Sequence, residues 1–223
     1  MNDKHIYTIN TNEAEVFLSV IYDPFLKSFK EKHPDIKVNN IVDDSLLNDT
    51  RDKGGMTTVI ANRVFNYAKA AEYSGADGVL VTCTSVNKAT KMIRPLLNIP
   101  ILNIEEPVAE MAVASGTKIG VLATIPTSPK AISDVIQEKA AEAGKEIEII
   151  EKVADGAFDA LRAGDRDLHD RMVNKAMQEL AGQVDCIAFA QISMSLVKHD
   201  PVTVPVFKIG MSGLDRMVEM IDK

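Results

Sequence analysis

The chain has 223 residues, 46% hydrophobic and 26% charged, a balance that suits a soluble globular protein with one sizeable core or two small lobes. Its formal charge of −7, without a basic run or aromatic interleaving, excludes the electrostatic footprint of a nucleic-acid binder, and no apolar run approaches the roughly 20 residues that cross a bilayer. The opening MNDKHIYTIN lacks a positive-then-apolar signal pattern, so the expected setting is cytoplasmic and the expected partner a small neutral or anionic molecule.

From the amino end, short β-branched runs predict strands at HIYTIN (5–10), IKVNNIV (36–42), GVLVT (78–82), PILNI (100–104), KIGVLA (118–123), EIEIIEK (146–152), CIAFA (186–190) and VPVFKI (204–209). Between them lie amphipathic helical segments such as TVIANRVFNYAKAAEYSG, closed by Gly75, and SPKAISDVIQEKAAEAG, closed by Gly144. Strands that are apolar almost throughout, alternating with helices, predict parallel sheets covered on both faces, an α/β fold.

The order of these pieces repeats. Ile6 to Thr11 answers to Ile119 to Thr124, IKVNNIVDDS to IEIIEKVADG, Asp77 to Cys83 to the stretch from Asp185 to Gln191, and IPILNI to VPVFKI. The fold class expected is therefore two similar three-layer α/β lobes with parallel sheets, related by a pseudo-twofold axis, with a cleft between them. The first lobe takes residues 1–104 plus 205–223 and the second takes 105–204. Ligands of open α/β sheets bind outside the carboxyl ends of the strands, which would gather Thr11, Cys83, Thr124 and Gln191.

Cys83 ends a strand and precedes a predicted helix, SVNKATKMIRPLL, where backbone N–H groups favour a thiolate able to act as a base; the alternative is a buried structural cysteine. Thr84 and Ser85 beside it suit a carboxylate. Cys186 lies about 16 Å before the end of its strand and reads as core. With no CxxC or HxxxH spacing, both cysteines are expected to be free thiols, and no metal site is expected. Gln191 is neutral and carries no proton at a useful pKa: it either donates to a developing oxyanion or stitches strand ends together. Thr124, Thr127 and Ser128 form a hydroxyl-rich turn that caps a helix or holds an anion. Asp43, Asp44 and Ser45 follow the second strand, where they either meet a substrate polar group or cap the next segment, with Asp44 the substrate-binding candidate. Glu105 and Glu106 follow the fourth, one as a cap and the other as a cleft residue. His169, in GDRDLHDRM, reads as a solvated first helical turn and is a candidate acid/base.

GADGVLVTCTS, NIPILNIEEP, KIGVLATIPTS and AFAQISM, in this order and spacing, resemble the aspartate/glutamate/hydantoin racemase superfamily over essentially the whole chain. The resemblance implies a cofactor-independent racemase or isomerase, with a cysteine from each lobe acting on opposite faces of a carbon alpha to the carboxylate of a small amino acid or related acid. Cys83 matches the first cysteine, and Gln191 stands where the second is expected. Thr84, Ser85, Thr124, Thr127 and Ser128 match carboxylate-holding regions, with Asn10, Thr11, Asp44, Glu106, Ile192 and Ser193 as further substrate-binding candidates. The chain is also similar to arylmalonate decarboxylase, a member with one cysteine. Decarboxylation is therefore one alternative reading and non-catalytic binding of a small carboxylate another. A homo-oligomer is expected, with no membrane or nucleic-acid partner.

Overall fold

A computed structural model of the chain describes residues 4–11, 22–126 and 128–222. The chain divides into two compact units, Met1–Ile104 with Gly210–Lys223, and Glu105–Ile209. In the first, strands β1 (Lys4–Asn10), β2 (Ile36–Val42), β3 (Gly78–Val81) and β4 (Ile101–Asn103) form a parallel sheet in the order β2-β1-β3-β4. In the second, β5 (Lys118–Ala123), β6 (Glu148–Val153), β7 (Cys186–Phe189) and β8 (Val206–Phe207) repeat that order as β6-β5-β7-β8, also parallel.

The helices of the first unit are α1 (Asp23–Lys32), α2 (Ser45–Asp52), α3 (Thr58–Tyr73) and α4 (Asn87–Ile93). The second has α5 (Glu106–Ser115), α6 (Ser128–Glu142), α7 (Ala157–Arg162) and α8 (Arg166–Ala181), and the chain ends with α9 (Met211–Ile221) in the first unit. Strand β8 pairs with β7, so the chain returns to the first unit through α9 alone, after Ile209, and not with the VPVFKI strand. The helix expected from Ser85 to Leu97 is divided into a 3₁₀ turn (Thr84–Val86), α4 and a second 3₁₀ turn (Arg94–Leu96), and α4 stops where it does because Pro95 has no N–H with which to continue an α-helix.

Register shows how closely the units repeat. Ile6 pairs with Gly78 and Ile119 with Cys186, while Val79 pairs with Ile101 and Ile187 with Val206. Thr82 N–H donates to Ile9 O at 3.0 Å and Ala190 N–H to Leu122 O at 2.9 Å. At the amino ends of the strands the Asp77 carboxylate accepts from His5 N–H at 2.7 Å, and Asp185 accepts from Lys118 N–H at 2.8 Å. Helices α3 and α6 also end alike. Gly75 (φ 79°) and Gly144 (φ 63°) adopt the left-handed conformation that glycine tolerates. Ala76 N–H then reaches Ala71 O at 3.1 Å and Lys145 N–H reaches Ala140 O at 2.8 Å, which satisfies carbonyls the helix leaves open.

Strand β3, GVLV, is buried along its whole length, as a central parallel strand must be. Val79 and Val81 pack with Ile9, Ile60, Val64 and Ala68 of β1 and α3, a cluster that also contains Cys83. In the second unit Leu122, Ile187 and Phe189 pack with Val173, Met177 and Leu180 of α8. Each such side chain taken fully out of water contributes about 1.5–3 kcal/mol, which fixes the strand ends on which the polar residues stand.

Candidate active site

In an α/β sheet of this order the direction of winding reverses between the first and third strands, and a crevice opens at their carboxyl ends. Thr11 and Cys83 stand two residues beyond the paired Ile9 and Val81. Thr124 and Gln191 stand two residues beyond the paired Leu122 and Phe189. Each unit therefore sets one threonine beside one candidate residue at its own switch point.

In the first unit Cys83 is extended (φ −126°, ψ 119°), 5% exposed, and begins the turn that leads into α4. Thr84 is half-buried and Ser85 exposed. Thr11 is fully buried, and its hydroxyl finds no partner among the described residues. Asn10 is engaged inside the protein: it accepts from the Thr82 hydroxyl and donates to Thr8 Oγ1 at 3.1 Å, while Thr8 in turn bonds Asn40 and the Tyr22 hydroxyl. Burial pushes the Tyr22 phenol up to about 12. This network ties β1 to β2, β3 and α1, and it occupies the side-chain amide of Asn10.

Asp44 is exposed, and its side chain makes no cap on α2. The organised carboxylate is its neighbour Asp43, which accepts from Tyr67 Oη at 2.5 Å, Ser45 Oγ at 2.8 Å and the Arg63 guanidinium; Arg63 also bridges to Asp49. Burial alone would raise the Asp43 pKa, but the hydrogen bonds from Tyr67, Ser45 and Arg63 outweigh it and hold the carboxyl below its ordinary value. Arg63 and Tyr67 escaped the sequence reading, although their spacing of four on a helix that follows an aspartate is a signal for such a cluster.

In the second unit Gln191 is half-buried and extended, at the start of a 3₁₀ turn (Ile192–Met194). Its Oε1 accepts from Thr124 N–H at 2.7 Å and from Thr124 Oγ1 at 3.1 Å. A backbone N–H can only donate, so the atom facing it must be the amide oxygen, and the NH₂ group is turned away from Thr124. Thr124 is 3% exposed. Ile192 and Ser193 are buried, and the Ser193 hydroxyl has no partner among the described residues. Thr127 lies outside the described residues. Ser128 is half-buried, opens α6, and donates its N–H to Ile125 O at 3.0 Å. Glu105 and Glu106 are both buried at the start of α5, where the positive end of the helix favours carboxylates.

His169 is not the solvated residue its charged surroundings predict. It is fully buried, on the same stripe of α8 as Val173, Ala176, Met177 and Leu180. Its Nδ1 lies 2.9 Å from Asp170 Oδ1, and its Nε2 has no partner among the described residues. Cys186 is likewise fully buried, with Sγ 3.6 Å from Ala112 O; burial first and the negative Asp185 second push its thiol up to about 11. Such a thiol stays protonated at neutral pH. Among the described residues no group of three or more His, Cys, Asp or Glu is placed to hold a metal ion, and no helix is long and apolar enough to cross a membrane.

Two parallel sheets of the same strand order, each with a hydroxyl and a thiol or amide at its switch point, define a two-unit α/β protein. Residues 41–216 match the Asp/Glu/Hydantoin racemase family, and the chain belongs to it. No curated protein matches the chain in sequence. Among solved structures, an aspartate racemase homologue from Pyrococcus horikoshii OT3 is 16% identical, with a TM-score of 0.73 over 99% of this chain and 100% of that one. Glutamate racemase RacE1 from Bacillus anthracis is 14% identical, with a TM-score of 0.69 over 100% of this chain and 83% of its own. Unliganded arylmalonate decarboxylase is also 14% identical, with a TM-score of 0.62 over 98% and 92%. At these identities the likeness is one of fold.

Proposed function

We propose that this member of the family transfers a proton at a carbon alpha to the carboxylate of a small acid, with Cys83 as its one proton carrier. The observation that carries this reading is the unequal pair of register-equivalent strand ends: a thiol at Cys83 and a neutral amide at Gln191. Two-base racemisation needs one group to remove the proton and another to return it from the opposite face. An amide does neither, and it forgoes the roughly hundred-fold or greater advantage of a positioned acid or base. The reaction expected is therefore one-sided. The alpha proton exchanges with retention, or an enediolate is protonated from one face, faster than the substrate racemises.

Decarboxylation is the second reading, favoured by the same single thiol: loss of carbon dioxide from a substituted malonate leaves an enediolate that needs only one proton. The test incubates aspartate, glutamate and 2-methyl-2-phenylmalonate, whose decarboxylation product has a stereocentre at the protonated carbon, in deuterated water, following deuterium incorporation, optical rotation and carbon dioxide release together. Exchange that outruns racemisation, or single-faced protonation after decarboxylation, supports the proposal when Cys83→Ala abolishes it. A Cys83→Ala enzyme that still turns over, or exchange and racemisation at equal rates, would refute it. Gln191→Cys is expected to raise racemisation relative to exchange.

A further inference from the structure

We propose that the Gln191 amide is an internal occupant of an oxygen-binding subsite at the end of β5, which a ligand carboxylate enters only by displacing it. The inference rests on the reading above for its ligand class, but its geometry lies wholly within the second unit. Thr124 turns two donors, its N–H and its hydroxyl, onto one sp² oxygen at 2.7 and 3.1 Å. That arrangement suits a carboxylate oxygen as well as an amide oxygen. Thr124 itself is 3% exposed, so its donors need an acceptor, and a residue 67 positions further along the chain supplies one. At the register-equivalent position of the first unit the Thr11 hydroxyl is fully buried and has no partner among the described residues.

The latch has a consequence for selectivity. A tethered competitor lowers the apparent affinity of every ligand by the same factor, the fraction of time the subsite is open. A neutral carbonyl is an acceptor of the same kind as the glutamine amide, whereas hydrogen bonds to a carboxylate are roughly twice as strong. The common factor leaves that preference for carboxylates unchanged and lowers both affinities, so neutral carbonyl compounds, the weaker ligands, are the first to lose measurable binding. Open-chain acids are the expected ligands, and cyclic ureides offering only neutral carbonyls are not.

Malonate and its neutral counterpart malonamide are the probes, titrated against ¹⁵N-labelled full-length protein while the Thr124 backbone amide and the Gln191 side-chain amide are followed by NMR. In the wild type, malonate is expected to shift both resonances, and malonamide at the same concentration neither. Gln191→Ala should tighten malonate binding about tenfold, the worth of the two neutral hydrogen bonds that no longer compete. Gln191→Glu, which places a tethered carboxylate on the same donors, should abolish the malonate response at Thr124. Malonate binding that is no tighter in Gln191→Ala, that leaves Thr124 unmoved, or that persists in Gln191→Glu overturns the inference. None of these readouts requires turnover, so a failed exchange assay and a failed displacement assay are separate results.

Discussion

Alkaline pH should destabilise the protein through Cys186, by an amount the structure sets. The thiol is fully buried in β7, and its pKa is pushed from 9.0 to about 11 by burial and then by Asp185. Unfolding frees it to titrate near 9.0. Above that value the unfolded chain releases a proton that the folded protein keeps, so stability falls as pH rises and the loss is complete above about 11; below pH 9 the effect is absent. About two pH units at about 1.4 kcal/mol each give nearly 3 kcal/mol. Asp185 is solvent-exposed, its share is screened, and about 2 kcal/mol remains. The assay is urea unfolding at intervals from pH 8 to 11 for the wild type and Cys186→Ala, each followed by circular dichroism. Tyrosines and lysines titrate in both proteins and cancel in the difference. The wild type is expected to start ahead, by the packing that alanine loses, and to give up about 2 kcal/mol of that lead by pH 11. Parallel curves would refute the burial argument, as would alkylation of native Cys186 by iodoacetamide with a midpoint near 9.0.

Two further outcomes are expected. Asp43→Asn should cost about 1–2 kcal/mol, because it sets an amide among the donors of Tyr67, Ser45 and Arg63. Since the folded Asp43 pKa is depressed, its stabilisation is present above about 3.8 and disappears as pH falls through the folded value, so acid titration of the variant should be the flatter of the two. Gly213→Ala places a Cβ 2.8 Å from Ile104 Cγ1 and 3.2 Å from Ile104 Cα and O, and crowding against backbone outweighs alanine's better helix propensity. A lowered urea midpoint with unchanged slope, together worth about 1 kcal/mol of stability, is expected, and a raised midpoint would contradict it.

The sequence was most legible where one physical rule acted alone. Continuous apolar runs such as GVLV mark strands buried on both faces, and all eight predicted strands have a counterpart among the described residues. The internal correspondence of Thr11 with Thr124 and of Cys83 with Gln191 is reproduced by the strand register. What failed needed tertiary information. VPVFKI carries no mark of which sheet it joins, and only Val206 and Phe207 pair with β7. Asp43 and Asp44 are equivalent in a one-dimensional reading until Arg63 and Tyr67 of α3 select one of them. His169 was hidden by the charges of GDRDLHDR, although its spacing of four, seven, eight and eleven from Val173, Ala176, Met177 and Leu180 is the mark of an inward-facing stripe. The bond between Gln191 and Thr124 joins a side chain to a backbone N–H across adjacent strands, and no residue pattern records it.

The aspartate clasps at the amino ends of β1 and β5 bear on how such a protein changes over evolutionary time. Asp77 fastens β1 to the start of β3, and Asp185 fastens β5 to the start of β7, at the edge of each sheet remote from Cys83 and Gln191. These two clasps are thus separated from Cys83 and Gln191 by the length of a strand. A thiol can be exchanged for an amide at one end while the clasp at the other end keeps the sheet intact. Substitution at Cys83 or Gln191 therefore leaves both clasps in place, and pairing at the amino ends of β1 and β5 does not depend on which side chain stands at the carboxyl ends.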